Sequence, residues 1–201
     1  RDALISEKAT TIAQLPENAI IGTSSPRRAA QALEHRPDLN IVTFRGNVQT
    51  RLDKLHRQQV DATFLAMAGL KRCNVQDDAI TPIAVDVMIP AVAQGAIGIQ
   101  ARENDTATKA LLAPLNHSES AICVAAERSF LSLFDGSCQT PIAAYAILEN
   151  KQLYMSCLIA HPSGTPLVKT SVTGFASNPS ALGQSAYDAI KAQVGPHFFD
   201  Q

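Results

Sequence analysis

The sequence predicts an α/β domain built on a parallel-rich sheet, followed by a small α+β domain with an antiparallel sheet. Two observations carry this prediction. Through residues 19–73, short apolar runs of strand length alternate with helix-length segments, the rhythm of βαβ units whose sheet is covered on both faces. After Phe134 the pattern changes to three longer strand-like runs separated by turn signals and closed by one helix, which reads as a meander with a helix packed on it. At 201 residues and 46% hydrophobic, the chain can bury a sizeable core in one large or two small domains.

In order, residues 19–22 form an apolar run fit for a buried strand. Ser25 then reads as a helix N-cap and Pro26 as the first helical residue, where a missing N–H is tolerated, so a helix is expected over 26–35. Strands over 41–44 and 62–65 and helices over 48–57 and 67–73 continue the alternation. The apolar stretch at 82–101 is broken by Pro90, Gly95 and Gly98, and residues 90–95 read as a crossover or hinge, with 95–101 as a further strand. A helix over 105–113 ends at Pro114. A longer one over 118–134, with Ser118 as its N-cap, carries the stripe Ile122, Ala126, Phe130 and Leu133 toward a core. The meander is expected over 141–148, 152–160 and 167–173, with turns at 149–151 and 161–164, and the final helix over 179–194.

Charge is distributed unevenly. Residues 21–72 hold nine basic side chains against Glu34, Asp38, Asp53 and Asp61, whereas the whole chain carries −1. Such asymmetry points to an anionic ligand for this segment. Arg27 and Arg28 fall in the first turn of a helix, where cations oppose the macrodipole, so helix stability alone does not account for them. With the hydroxyls of Thr23, Ser24 and Ser25 and the free N–H groups of that turn, they make a cradle for carboxylate or phosphate. Arg45, Arg51 and Arg72 follow other strands at the same predicted sheet edge, where α/β folds bind ligands, and Gln94 in the hinge could face that ligand. A pI near 6.6 and 5% aromatic residues argue against nucleic acid as the partner. The uncharged run at 87–101 is too short and interrupted to span a bilayer.

The four cysteines show no C-x-x-C pair and the histidines no matching ligand spacing, which argues against zinc and against a disulfide framework and fits a reducing cytoplasm. Cys123 and Cys157 lie in apolar helix and strand patterns typical of inert buried thiols, and the pattern leaves Cys73 open. Cys138 differs: Asp135-Gly136-Ser137-Cys138-Gln139 is a polar loop able to present a thiolate into a cleft.

Several runs resemble one family in the same order: Gly22-Thr23-Ser24-Ser25-Pro26-Arg27-Arg28, Arg45-Gly46-Asn47-Val48-Gln49-Thr50-Arg51-Leu52, Leu65-Ala66-Met67-Ala68-Gly69-Leu70-Lys71-Arg72, the run at 90–95, Ala126-Glu127-Arg128 and Gly136-Ser137-Cys138-Gln139-Thr140-Pro141-Ile142. The family is porphobilinogen deaminase, or hydroxymethylbilane synthase. The resemblance implies a transferase of haem biosynthesis that condenses four porphobilinogen molecules with release of ammonia, on a dipyrromethane primer held by a thioether to Cys138. It implies that Arg27, Arg28, Thr23, Ser25 and Gln94 bind cofactor and that Arg45, Arg51 and Arg72 bind substrate carboxylates. Porphobilinogen and its oligomers are then the partners of a monomer with no metal, nucleic acid or membrane.

By the same resemblance, residues 1–94 form the second domain, which resembles a periplasmic-binding-protein lobe, 95–116 cross back to a first domain, and 117–201 form the third. Arg1-Asp2-Ala3-Leu4 reads as the interior of a longer sequence, so the first domain, which in the family supplies a catalytic aspartate, a lysine and further substrate contacts, is expected before it as an intramolecular partner, and a chain of these residues alone is expected to be inactive. No acid here lies in a matching motif; Asp53 and Asp61 are nearest the basic stretch and read as structural. Pro26, Ala93 and Ser137 depart from the family's usual aliphatic, glycine and glycine. Without a nucleophilic loop cysteine, the same cleft would suit a non-catalytic binding module for a polycarboxylate. Produced in cells that make porphobilinogen, the protein is expected to carry a dipyrromethane adduct by intact mass. The adduct is lost in Cys138→Ser and kept in Cys73→Ser, Cys123→Ser and Cys157→Ser; an adduct surviving in Cys138→Ser defeats the assignment.

Overall fold

A computed structural model describes residues 1–134, 140–161, 164–195 and 198. Its elements are β1 (Asp2–Ile5), β2 (Ile20–Gly22), α1 (Pro26–His35), β3 (Asn40–Val42), α2 (Val48–His56), β4 (Ala62–Ala66), α3 (Met67–Arg72), β5 (Ile80–Pro82), α4 (Thr106–Leu112), α5 (Ser118–Ser132), β6 (Ile142–Glu149), β7 (Gln152–Ala160), β8 (Leu167–Phe175) and α6 (Pro179–Lys191). The predicted class is observed. One sheet has the order β3-β2-β4-β1-β5 and the other the order β6-β7-β8.

In the first sheet β2 pairs in parallel with β3 and β4, as the alternation requires. Two strands, β1 and β5, were not legible. β1 inserts antiparallel between β4 and β5, with Asp2 opposite Ala66 and Ala3 opposite Pro82. All four residues of β1 are buried, because a central strand is covered on both faces and shows no alternation to read. Antiparallel insertion has a geometric consequence: the first residue of β1 lies at the sheet edge where β4 ends and α1 begins. The strand expected over 95–101 does not form. Ile97 is 73% exposed and Ile99 57%, and no described strand offers them a ladder to join.

The second sheet matches the expected meander. Glu149 pairs with Gln152 across the two-residue turn Asn150-Lys151, both at positive φ (51° and 65°), the twist that a tight hairpin needs. The turn at 161–164 includes residues 162–163, which lie outside the described residues. The helix expected from Ser118 is capped one residue earlier, by His117, whose side chain accepts the Ser120 N–H. Ile122, Ala126 and Phe130 pack as expected, but Phe134 rather than Leu133 completes the stripe. A separate cluster, Ala30 and Ile89 with Ala143, Leu158 and Ala160, joins α1 and the chain near residue 89 to the second sheet. No helix among the described residues is long and apolar enough to cross a membrane.

Helices α5 and α6 cross closely at Gly183. A Cβ there would lie 2.6 Å from both the backbone nitrogen of Phe130 and the side chain of Ser129. Gly183→Ala is therefore expected to lower stability by about 1–3 kcal/mol through overpacking, less the roughly 1 kcal/mol of helix propensity it gains. Urea denaturation reads this as a lower midpoint, and Gly98→Ala, whose Cβ meets nothing within 4 Å, is the control. An unchanged midpoint in Gly183→Ala would show that the helices can separate freely.

Candidate functional site

The N-cap is formed as the sequence predicts: the Ser25 hydroxyl accepts the Arg28 N–H, with Pro26 in the first turn. Arg27 and Arg28 do hold a carboxylate, but it is the chain's own Asp2. Arg27 donates to Asp2 Oδ2 at 2.8 Å, and Arg28 reaches Oδ1 through Nε at 3.0 Å and Nη2 at 2.7 Å. Asp2 is fully buried, and the side chains of Arg27 and Arg28 are 7% and 12% exposed. Arg27 also donates to the Ile89 carbonyl at 2.6 Å and Arg28 to the Phe64 carbonyl at 3.0 Å. Burial pushes the Asp2 carboxyl up, but the charges and hydrogen bonds of the two guanidiniums outweigh it and hold the group below its ordinary value. For Arg27, burial wins over Asp2 and lowers the pKa, yet an arginine so far above neutrality stays charged.

Gln94 completes the cluster. Its Oε1 accepts from Arg27 at 3.3 Å and its Nε2 donates to Asp2 Oδ1 at 3.1 Å, so the hinge amide faces the arginine pair. Thr23 Oγ1 accepts the Ser25 N–H at 3.1 Å, Ser25 caps the helix, and Ser24 Oγ bonds the backbone of Phe44, so all three shape the turn. Arg51 donates Nε to the Gly46 carbonyl at 2.9 Å, and burial together with the nearby charge of Arg28 lowers its pKa. Arg45 and Arg72 are exposed and outside the buried cluster. Arg36 is tied to Asp38, Asp61 to Lys8 and to the Ile20 N–H, and Asp53 to Gln49, which leaves all three in structural contacts.

Asp2 is the group that sequence reasoning missed. Its signal was present in the adverse pair of arginines at a helix start, which calls for a buried counter-charge, but nothing local says which acid answers. Beside the cluster lies a cleft of about 500 Å³ between residues 90–96, α5 and β6, lined in part by Pro90, Gln94, Cys123, Glu127 and Tyr145. Cys123 faces it as a half-buried thiol, pushed up by burial and then by Glu127 and Glu119, which fits the inert role expected of it. Cys157 is buried and pushed up in the same way, and Cys73 is exposed. Cys138 and Ser137 lie outside the described residues. Among the described residues no cluster of His, Cys, Asp or Glu could hold a metal ion.

The fold and the cluster define a class: an α/β protein with a buried arginine–aspartate cluster at a sheet edge, joined to an antiparallel α+β unit. Comparison with known sequences narrows it. Residues 1–110 match the family model of the porphobilinogen deaminase dipyromethane cofactor binding domain, and 121–192 match that of the porphobilinogen deaminase C-terminal domain. The chain is 46% identical over 203 residues to a chloroplastic porphobilinogen deaminase of Oryza sativa subsp. japonica, covering 100% of this chain and 57% of that protein. Against porphobilinogen deaminase of Paracoccus denitrificans the identity is 44% over 200 residues, covering 100% and 64%, and against the chloroplastic protein of Pisum sativum it is 44% over 204 residues, covering 100% and 55%. The chain belongs to the porphobilinogen deaminase family. It spans roughly three fifths of the length of these curated relatives.

The buried cluster gives a pH signature. A carboxylate whose folded pKa is depressed contributes stability that is present above its unfolded value, near 3.8, and lost as pH falls through the folded value. Asp2→Asn leaves Arg27 and Arg28 facing each other and is expected to cost about 3–5 kcal/mol near neutrality. The difference between parent and variant should shrink as pH falls below about 3.8, where the unfolded chain's carboxyl takes up its proton, and be lost as pH passes through the lower folded value. Chemical denaturation over a pH series checks this, and a difference that stays constant down to acid pH would count against the ion cluster.

Proposed function

We propose that this chain supplies the cofactor-binding and C-terminal parts of a hydroxymethylbilane synthase, which condenses four porphobilinogen molecules head to tail with release of ammonia. The observation that carries the reading is the buried Asp2–Arg27–Arg28 cluster with Gln94, in a chain of this family. Two guanidiniums against one carboxylate leave a net positive charge at the sheet edge, with Arg51 close to Arg28, and that suits a ligand bearing acetate and propionate groups. Dipyrromethane, held through Cys138, would supply the pyrrole carbon to which the first substrate is joined. Arg27, Arg28 and Gln94 bind and orient on the cofactor side; Arg45, Arg51 and Arg72, more open to solvent, take the carboxylates of the incoming and growing chain. A free thiol and a polyanionic product fit a reducing aqueous compartment, the cytoplasm being the simplest.

We further propose that the carboxylate acting at the reacting carbon comes from the first domain, outside these residues, because Asp2 is fully buried with both oxygens taken by Arg27, Arg28 and Gln94. An alkylammonium is already protonated at neutral pH, so the leaving amine of porphobilinogen needs an anionic partner more than a proton donor. Such a carboxylate can accept a hydrogen bond from that ammonium and then stabilise the cationic pyrrole formed as ammonia leaves, while Asp2, held ionised, fixes Arg27 and Arg28 in the orientation in which they meet the cofactor. Asp2 serves here as a fixed charge that positions the arginine pair.

The remaining wall of the cleft is proposed to come from the further length that the relatives have. Ammonia release from porphobilinogen should therefore be at least about 10²-fold slower for the 201 residues alone than when the first third of a relative is added in trans. In the complemented assay, Asp2→Asn should lose about 10²–10³ in rate, and Arg27→Ala should weaken carboxylate binding about tenfold or more. Arg36→Ala and Arg57→Ala should leave the rate near that of the parent. Full turnover in Asp2→Asn would overturn its role.

A further inference from the structure

A second buried carboxylate, Glu127, has no part in the chemistry above. It lies on α5 at the wall of the 500 Å³ cleft and is 6% exposed. Its Oε2 accepts the N–H of Ala93 at 2.6 Å and its Oε1 the N–H of Ala146 in β6 at 2.9 Å. Among the described residues no salt bridge reaches it, and burial pushes its carboxyl up against the pull of those two N–H groups. A buried carboxylate held only by backbone donors is unfavourable unless both bonds are kept.

Ala93 is unfavourable in its own way. Its φ is +57°, in the left-handed region that an alanine side chain disfavours. Tight backbone turns flank it, Gln94 N–H to the Ala91 carbonyl at 2.9 Å and Ala96 N–H to the Ala93 carbonyl at 3.1 Å. The next side chain is Gln94, which reaches both Arg27 and Asp2. The strained residue and the buried carboxylate thus meet in one hydrogen bond, one residue from Gln94.

We infer that Glu127 is a positioning residue for the Asp2 cluster: by gripping the Ala93 N–H and the Ala146 N–H together, it fixes the left-handed turn at 93 and so aims Gln94 at Asp2 and Arg27. Both glutamate oxygens are acceptors, which is what two inward-pointing N–H groups require. A glutamine has one acceptor oxygen, and its NH₂ would face the second N–H donor to donor. The pairing also couples β6 of the second sheet to the reacting edge of the first. The role proposed for Asp2 is what makes the aim of Gln94 matter for turnover, but the measurements below need no substrate, so a failure of the grip is distinguishable from a failure of that role.

The test is amide hydrogen exchange and the side-chain NH₂ resonances of Gln94, read by NMR on the 201-residue chain. In the parent, Ala93 N–H should be protected and the Gln94 NH₂ shifted from a free amide. Glu127→Gln should reduce Ala93 protection about tenfold or more and move the Gln94 resonances toward the free position. Adding Ala93→Gly, which removes the left-handed penalty, should restore the Gln94 resonances in the Glu127→Gln background although the grip stays weakened. A lower melting temperature in Glu127→Gln with unchanged Gln94 resonances would mean that Glu127 only supports the fold, and the inference fails. If the single variant does not fold, the exchange of the residue-93 amide in the double variant carries the test, where protection still reduced about tenfold or more supports the grip and protection as in the parent overturns it. In either case an Ala93 amide that exchanges in the parent as freely as in an unstructured peptide overturns the inference.

Discussion

The structure depends on one buried ionic contact, the carboxylate of Asp2 between the guanidiniums of Arg27 and Arg28. Removing three charges from water is costly, and an ion cluster is tolerated only where geometry is good and every remaining donor finds a partner. Here the spare donors go to the carbonyls of Ile89 and Phe64 and to Gln94. The same contact resolves the oddity of two arginines at a helix start: the Asp2 charge faces the turn where the macrodipole would otherwise repel them. One contact thereby ties together the first strand, the first helix and the hinge at 90–95.

That hinge is gripped from several sides. Gln31 reads the backbone of Ile89 through both ends of its amide, donating at 3.1 Å and accepting at 2.7 Å, while Arg27 takes the same carbonyl. Glu127 takes Ala93, and Gln94 returns to the cluster. The segment has little regular structure of its own, so its conformation is set by side chains from α1 and α5. A loop held by buried polar contacts keeps its shape without the ladder of a strand.

Beyond the hinge the character changes. Ile97, Ile99, Leu111 and Leu115 are all more than half exposed, from 57% to 79%, on a segment that carries no strand. Their sequence pattern is that of a buried element, while the local structure is solvated. The first matched family model runs through Ile97 and Ile99 to residue 110, and Leu111 and Leu115 lie between it and the second, which starts at residue 121. An apolar pattern states that a segment can be covered, and only the surrounding fold supplies the cover.

By itself the sequence determined what local physics governs. Ser25 and Pro26 start α1 because a hydroxyl must answer the first free N–H groups, and the meander from residue 142 to 175 follows from side-chain alternation and a turn at Asn150-Lys151. The spacing of basic residues after successive strands likewise placed Arg27, Arg28 and Arg51 at one sheet edge. Only the tertiary structure decided that Asp2 answers the arginines and that Glu127 grips the hinge. Caps and periodicities act over a few residues, whereas the acid that meets Arg27 is 25 residues away and arrives because β1 enters the sheet antiparallel beside β4. Strand order, which no local pattern encodes, chose the partner.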